Sequence, residues 1–302
     1  MKQKRRIATK RVMLKKIALT VFAAIGVFFV AILFLSLIIS HFKGGEGALF
    51  TDKVAVIEIT GLISDSREIN RQINEYAERD DVKAIILRVD SPGGGVGPSQ
   101  EIYREVMKAR DKKKVVTSMG SVAASGGYYI ASASHKIIAN PGTITGSIGV
   151  IIKFADVKEL LSKLGLKGFV VKSGPFKDIG SPLREMTNEE RVLVQGVVDD
   201  LHQQFIGAVS EGRGMERSVV SEIADGRFFS GARSVELGLV DEIGNFNDAI
   251  AIAAAISGVK GKPHVIYPVQ RRGRLWDVIL ENSLQRVLNK VVPKIEAMYL
   301  FS

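Results

Sequence analysis

The chain has 302 residues, 46% hydrophobic and 25% charged, and no cysteine. These figures exclude global disorder, disulfide frameworks, thiol nucleophiles and Cys-ligated metal chemistry, and the length suits one large domain or two modest ones. The net charge of +10 points to no nucleic-acid partner, because residues 1–16 hold eight Lys or Arg and no acid, residues 271–302 add +3, and residues 51–270 come out near −1; a DNA-binding domain carries its charge on the folded body.

Residues 17–40, IALTVFAAIGVFFVAILFLSLIIS, contain no charged side chain. As a helix they would span ~36 Å, enough for a ~30 Å hydrocarbon core with some tilt. The basic tail at 1–16 precedes this stretch, so the positive-inside rule puts the N-terminus in the cytoplasm and the rest outside the cell membrane. A cleaved signal peptide would have a shorter apolar run and a small-x-small site after it, and Ser40-His41-Phe42-Lys43 offers none. The expectation is an uncleaved transmembrane signal anchor at 17–40 and a Gly-rich linker at 41–49.

Strand and helix signals then alternate. Strands are expected at 53–60, 84–89 and 115–119, the last stopped by Gly120, with short ones at 136–139 and 147–152. Helices are expected at 64–80, 98–112 and 123–133. Asp90-Ser91-Pro92-Gly93-Gly94-Gly95 reads as a sharp turn. The βαβ rhythm predicts an α/β layered fold with parallel pairing. The second half reads as more helical. Thr187-Asn188-Glu189-Glu190 is a capping box opening a helix to about Gly212, and further helices follow at 218–224 and 249–257. Asp225–Gly244 reads as turn, short helix and strand. Residues 274–292 form an amphipathic pattern with Trp276, Leu280 and Leu284 on one side.

For chemistry, Gly120–Tyr129 is the first candidate: it follows a strand and opens a helix. Ser125 is flanked by Ala and Gly, so a substrate backbone can approach it, and helix N-terminal amides suit a developing oxyanion. Gly126 N–H is the natural first donor, and the Gly93-Gly94-Gly95 turn can supply a second. The small residues could equally serve tight packing of the helix on the sheet. A serine needs a base. His41, His135, His202 and His264 form no convincing constellation. A lysine can act as base when burial removes its charge, and the Ser-Lys dyad is a variant of the serine mechanism. Lys177 is the candidate, in a turn-rich loop, Ser173-Gly174-Pro175-Phe176-Lys177-Asp178-Ile179-Gly180, after an apolar strand at Val170-Val171.

Taken together, ASGGYY at 124–129, SPGGG at 91–95, GTITGSIGVI at 142–151, SGPFKDIGSP at 173–182 and DGRFFSGARSVELGLVDEIG at 225–244 resemble the bacterial signal peptide peptidase A family in its short, single-domain form. The resemblance covers about residues 50–260 and implies a ClpP/crotonase-like α/β fold behind one N-terminal transmembrane helix. It implies Ser125 as nucleophile, Lys177 as general base and Ser147 as the hydroxyl that orients the lysine. Gly93 or Gly94, with Gly126, would form the oxyanion hole. It implies a membrane-anchored serine endopeptidase that degrades signal peptide remnants, needs no cofactor or metal, and works as a homo-oligomer, an octameric dome in which neighbouring subunits share a site. Two other readings are a crotonase-type acyl-CoA enzyme and a non-catalytic membrane scaffold. Residues 261–302 lie outside the motifs, as a C-terminal amphipathic helix and tail without an assigned role.

Overall fold

The computed structural model describes residues 25–35, residues 52–268 and the backbone of Met298–Leu300. Contacts divide the chain into two units, 1–51 and 52–302. In the first, residues 25–35 form an apolar, exposed helix, α1. Among the described residues no helix is long and apolar enough to cross a membrane. The rest of the expected 17–40 span lies outside the described residues, as does the amphipathic pattern at 274–292.

The second unit is built on parallel strands. β1 (Lys53–Thr60) lies between β2 (Val82–Ser91) and β9 (His264–Ile266), parallel to both. β2 pairs in parallel with β4 (Lys114–Ala124). Along its far edge β4 meets two partners in succession. Val116–Ser118 pair with β5 (Lys136–Ala139), and Val122–Ala124 pair with β6 (Ile144–Gly146). β6 continues into antiparallel β7 (Phe228–Ser230), and β5 into parallel β8 (Glu242–Ile243).

The central strands are nearly continuous in Val, Ile and Leu because both faces of the sheet are covered. Ala55, Ile57 and Leu87 face one cluster, together with Ile102, Tyr128 and Phe205. Val54, Val56, Ala84 and Ile86 face the other, against α9 (Phe246–Ile256). The first face carries α2 (Arg67–Glu78), α3 (Val96–Arg110), α4 (Gly126–Ser132) and α6 (Asn188–Arg213). Tyr129 joins three of these helices: its ring centroid lies 5.1 Å from that of Tyr103 on α3 and 4.8 Å from that of Phe205 on α6. Burying each such side chain contributes ~1.5–3 kcal/mol. Tyr128 hydroxyl donates to Leu239 carbonyl at 2.9 Å, so its one polar atom is satisfied.

The Thr187–Glu190 capping box forms as read, and Gly214 ends α6 in the left-handed region with φ of +66°. Three expectations change. Gly120 does not stop β4. A β-carbon there would lie 2.7 Å from Asp90 Cγ, so the glycine permits close approach of β2 at its bulge between Val89 and Ser91. The strand placed at 147–152 lies earlier, as β6, because φ of +51° at Ser147 turns the chain out of extended geometry. No strand precedes the lysine loop: Phe169 and Val171 are 89% and 93% exposed and have no sheet to join. The remaining elements are α5 (Lys158–Lys163), α7 (Arg217–Ile223), α8 (Gly231–Glu236), β3 (Gly93–Gly95) and β10 (Met298–Leu300), the last two paired with each other.

Candidate active site

β4 delivers Ser125 to the end of the sheet, and the chain turns there directly into α4. The turn is tight enough to put Ser125 at φ +53°, and Ser147 has φ +51°; they are the two non-glycine residues with positive φ among those described. Such a conformation costs ~1–3 kcal/mol and persists only where surrounding structure imposes it. Here Ser125 N–H donates to Gly146 carbonyl at 2.8 Å, and Ser125 carbonyl accepts from Tyr129 N–H at 2.8 Å. The first of these bonds holds the two strained serines side by side. Ser125 is fully buried, and its Oγ has no hydrogen-bond partner among the described residues. A buried hydroxyl left unpaired is costly, so it marks a site kept for something other than stability.

The glycine segment that reads as a turn forms a short strand, β3, beside Ser125. One edge of β3 is taken by Ile63, whose N–H donates to Gly93 carbonyl at 2.9 Å and whose carbonyl accepts from Gly95 N–H at 2.8 Å. Alternation along a strand then turns the N–H and carbonyl of Gly94 to the opposite edge. Gly93 N–H donates to Ser91 Oγ at 3.1 Å, and Ser91 Oγ donates to Gly61 carbonyl at 2.6 Å. Gly93 is therefore engaged internally, and Gly94 is the glycine of the pair whose amide faces outward. Gly126, first residue of α4, has no intrahelical acceptor for its N–H. It packs against the same strand: a β-carbon on Gly126 would lie 3.1 Å from Gly94 nitrogen and 2.6 Å from Ser99 Oγ. Two outward amides, Gly94 and Gly126, thus converge beside the buried serine. Ser91 and Ser99, which brace this arrangement, escape the sequence reading. The Ser-Pro before the glycines was the one available sign of Ser91.

Lys177 sits among turns, its N–H donating to Gly174 carbonyl at 3.2 Å, and its side chain is exposed. The adjacent Asp178 carboxylate holds Arg184 at 2.7 Å and Lys172 at 2.5 Å. Arg184 reaches on to Glu190, 2.5 Å away, which also closes the capping box through Thr187 N–H. Hydrogen bonds from Arg184 first, then Lys172, hold the Asp178 carboxyl well below its usual range. Arg184, then the Thr187 amide, lower Glu190 from 4.5 to about 2. This ionic brace fixes the loop base and leaves Lys177 pointing outward. Ser125 Oγ has no partner among the described residues, so Lys177, His135, His202 and His264 do not bond it within one chain.

A cavity of about 420 Å³ opens beside Ser147, with Gln195, Asp199 and His202 of α6 on one wall and Asp225–Phe228 on another. Ser147 N–H donates to Arg227 carbonyl at 2.8 Å. His202, part of no convincing constellation in the sequence, presents a buried Nε2 without a partner among the described residues. His135 is structural: its Nδ1 accepts from Val115 N–H at 3.1 Å, and burial lowers its pKa.

Comparison with known proteins agrees with a hydrolytic site. A family model described as peptidase family S49 matches residues 107–260, and a Clp protease model matches residues 51–143. A Synechocystis sp. protein named as a protease is 45% identical over 208 residues, 68% of this chain and 75% of that one. An Enterococcus faecium protein named for signal peptide peptidase SppA is 39% identical over 68% of this chain and 63% of its own length. Protease 4 of Salmonella typhi is 34% identical over 81% of this chain and 41% of its own length. These matches leave the acyl-CoA and scaffold readings without support.

Proposed function

From the premise that this chain belongs to peptidase family S49 and is a serine protease, we propose that Ser125 is its nucleophile and Lys177 its general base. The observation that carries the reading is the strained, buried Ser125 hydroxyl, without a partner among the described residues, beside the outward amides of Gly94 and Gly126.

Lysine serves as a base only where burial removes its charge. Lys177 is exposed in a single chain, so a second copy supplies the cover. The lysine lobe is suited to this: Leu164, Phe169, Val171 and Val192 are each more than 60% exposed, an apolar surface that calls for a partner. In the resulting homo-oligomer, Lys177 of one subunit enters the cavity beside Ser147 of the next. Ser147 then orients the amine, facing Asp199 and His202 across the cavity.

The neutral amine takes the Ser125 proton, and Oγ attacks the peptide carbonyl. Gly94 and Gly126 N–H groups hold the oxyanion. As the tetrahedral intermediate collapses, the C–N bond breaks, the lysine proton passes to the leaving amine, and an acyl-enzyme remains. Water, deprotonated by the same amine, attacks the ester and frees Ser125. By analogy with the relative named for signal peptide peptidase, the substrates are signal peptide remnants. Residues 17–40 anchor the protease in the cell membrane with its domain outside the cytoplasm. Tethering enzyme and substrate to one bilayer raises their effective concentration.

The test is hydrolysis of an apolar peptide, combined with a serine-directed covalent inhibitor located by mass spectrometry. The expected result is a single adduct on Ser125 and loss of hydrolysis in both Ser125→Ala and Lys177→Ala. Normal turnover by either variant would end the assignment.

A further inference from the structure

Ser125 lies where β4 ends, and the strands start at the opposite end of the sheet. Parallel register sets Lys53 of β1 beside Val82 and His264, and Lys114 of β4 beside Ala84, so the starts of β1, β2, β4 and β9 share one edge. That edge is basic. Lys83, Arg110 and Lys112–Lys114 line a cavity of about 390 Å³ there, and Asp111 is the one acid among its lining residues. The loop from α9 into β9 adds Lys260 and Lys262, both exposed.

Much of this charge is not cancelled. Lys112 pairs with Glu78, and Lys83 lies 3.7 Å from Asp52. Arg110 and Lys113 instead donate to main-chain carbonyls, of Ala133 at 3.0 Å and of Arg79 at 2.9 Å, which positions the charge without neutralising it. Lys114, Lys260 and Lys262 form no ion pair among the described residues. Residues 51–270 sum to about −1, so this edge stands out on a body close to neutral. β1 begins at Lys53, so the chain coming from 17–40 enters the domain at this same edge, and residues 41–52 can bridge no more than ~43 Å.

We propose that the strand-start edge, from Lys83 and Lys112–Lys114 across to Lys260 and Lys262, is a docking surface for a bilayer carrying anionic phospholipid headgroups. A lysine or arginine near such a surface strengthens attachment about fivefold. A broad anionic surface can meet cations spread over several strand starts and a loop, which a small free anion cannot. The short tether keeps those cations within reach of the headgroups. Docking by this edge holds Ser125 up to one strand length, ~36 Å for the 11 residues of β4, from the lipid, so a peptide must leave the hydrocarbon before it is cut. The inference rests on residues 17–40 anchoring the chain in the membrane.

The experiment uses the full chain reconstituted in vesicles of phosphatidylcholine, with or without about 30% phosphatidylglycerol. A membrane-impermeant acetylating reagent and mass spectrometry read each lysine, with exposed Lys163 on α5 as internal reference. With phosphatidylglycerol present, Lys113, Lys114, Lys260 and Lys262 should label at least about fivefold more slowly relative to Lys163. Salt at ~1 M, with its ~3 Å Debye length, should remove the difference. In a variant combining Lys114→Glu, Lys260→Glu and Lys262→Glu, Lys113 should label at its phosphatidylcholine rate, while hydrolysis of a short soluble peptide stays at the wild-type level. Equal labelling in the two kinds of vesicle would overturn the proposal. So would equal protection by inorganic phosphate on phosphatidylcholine vesicles, which would make the cavity a free-anion site. Flotation reads the anchor separately: a chain that floats with vesicles only when phosphatidylglycerol is present would uphold the docking surface and sink the anchor.

Discussion

The cradle around Ser125 and the loop around Lys177 are built in opposite ways. The cradle is buried, strained and braced by main-chain hydrogen bonds from β3, β6 and α4. The loop is exposed, has no strand, and is held by the Asp178–Arg184–Glu190 ion network. Close packing tolerates a costly backbone conformation only where many neighbours enforce it. A surface loop held by ions keeps its geometry but cannot dehydrate a lysine. On the proposed reading, one half of the chemistry is finished inside a single chain, and the other waits for a surface to cover it.

Substitutions in the cradle should have the largest effects. Ser125→Ala should lower peptide turnover by about 10⁴-fold or more. Its folding stability should hold or rise, since the lost hydroxyl has no partner among the described residues. A fall in stability instead would mean that Oγ is structural. Gly126→Ala would push a β-carbon against Gly94 nitrogen and Ser99 Oγ. Displacing the proposed oxyanion pair should cost ~10²–10³ in kcat with little change in KM, read by steady-state kinetics. Ser91→Ala strands the buried Gly93 N–H, costing ~1–3 kcal/mol of stability. Chemical denaturation would register that loss, along with a smaller drop in kcat.

The loop should respond to acid and barely to cavity-making changes. The Glu190 pKa is depressed, so its contribution is complete above the ordinary value of 4.5 and disappears as pH falls toward about 2. Hydrogen exchange at the first turn of α6 should therefore accelerate over that interval, while β4 amides stay protected. Glu190→Gln should remove the pH dependence. Uniform loosening of both regions would erase the contrast between them.

Much of the cradle was legible in the chain. β1 and β5 lie where the apolar runs at 53–60 and 136–139 put them, and the helix opening after Ser125 appears within three residues of its expected start. Gly120 misled because glycine signals both a chain break and a close approach, and only Asp90 across the bulge tells which. Gly93 and Gly94 could not be separated from sequence, since the choice depends on Ser91 and Ile63, distant partners in hydrogen bonding. The apolar residues near Val171 read as a strand because they were judged without the sheet they would need. They stand exposed instead.

The central claim is that one chain's buried hydroxyl is served by another chain's amine. Mixing Ser125→Ala and Lys177→Ala proteins, each inactive alone, under conditions that let subunits exchange tests it most directly. With heterologous contacts, about a quarter of the sites would pair an intact serine with an intact lysine, and hydrolysis should return to roughly that fraction of wild type. A mixture that stays inactive after exchange has been verified would contradict the claim.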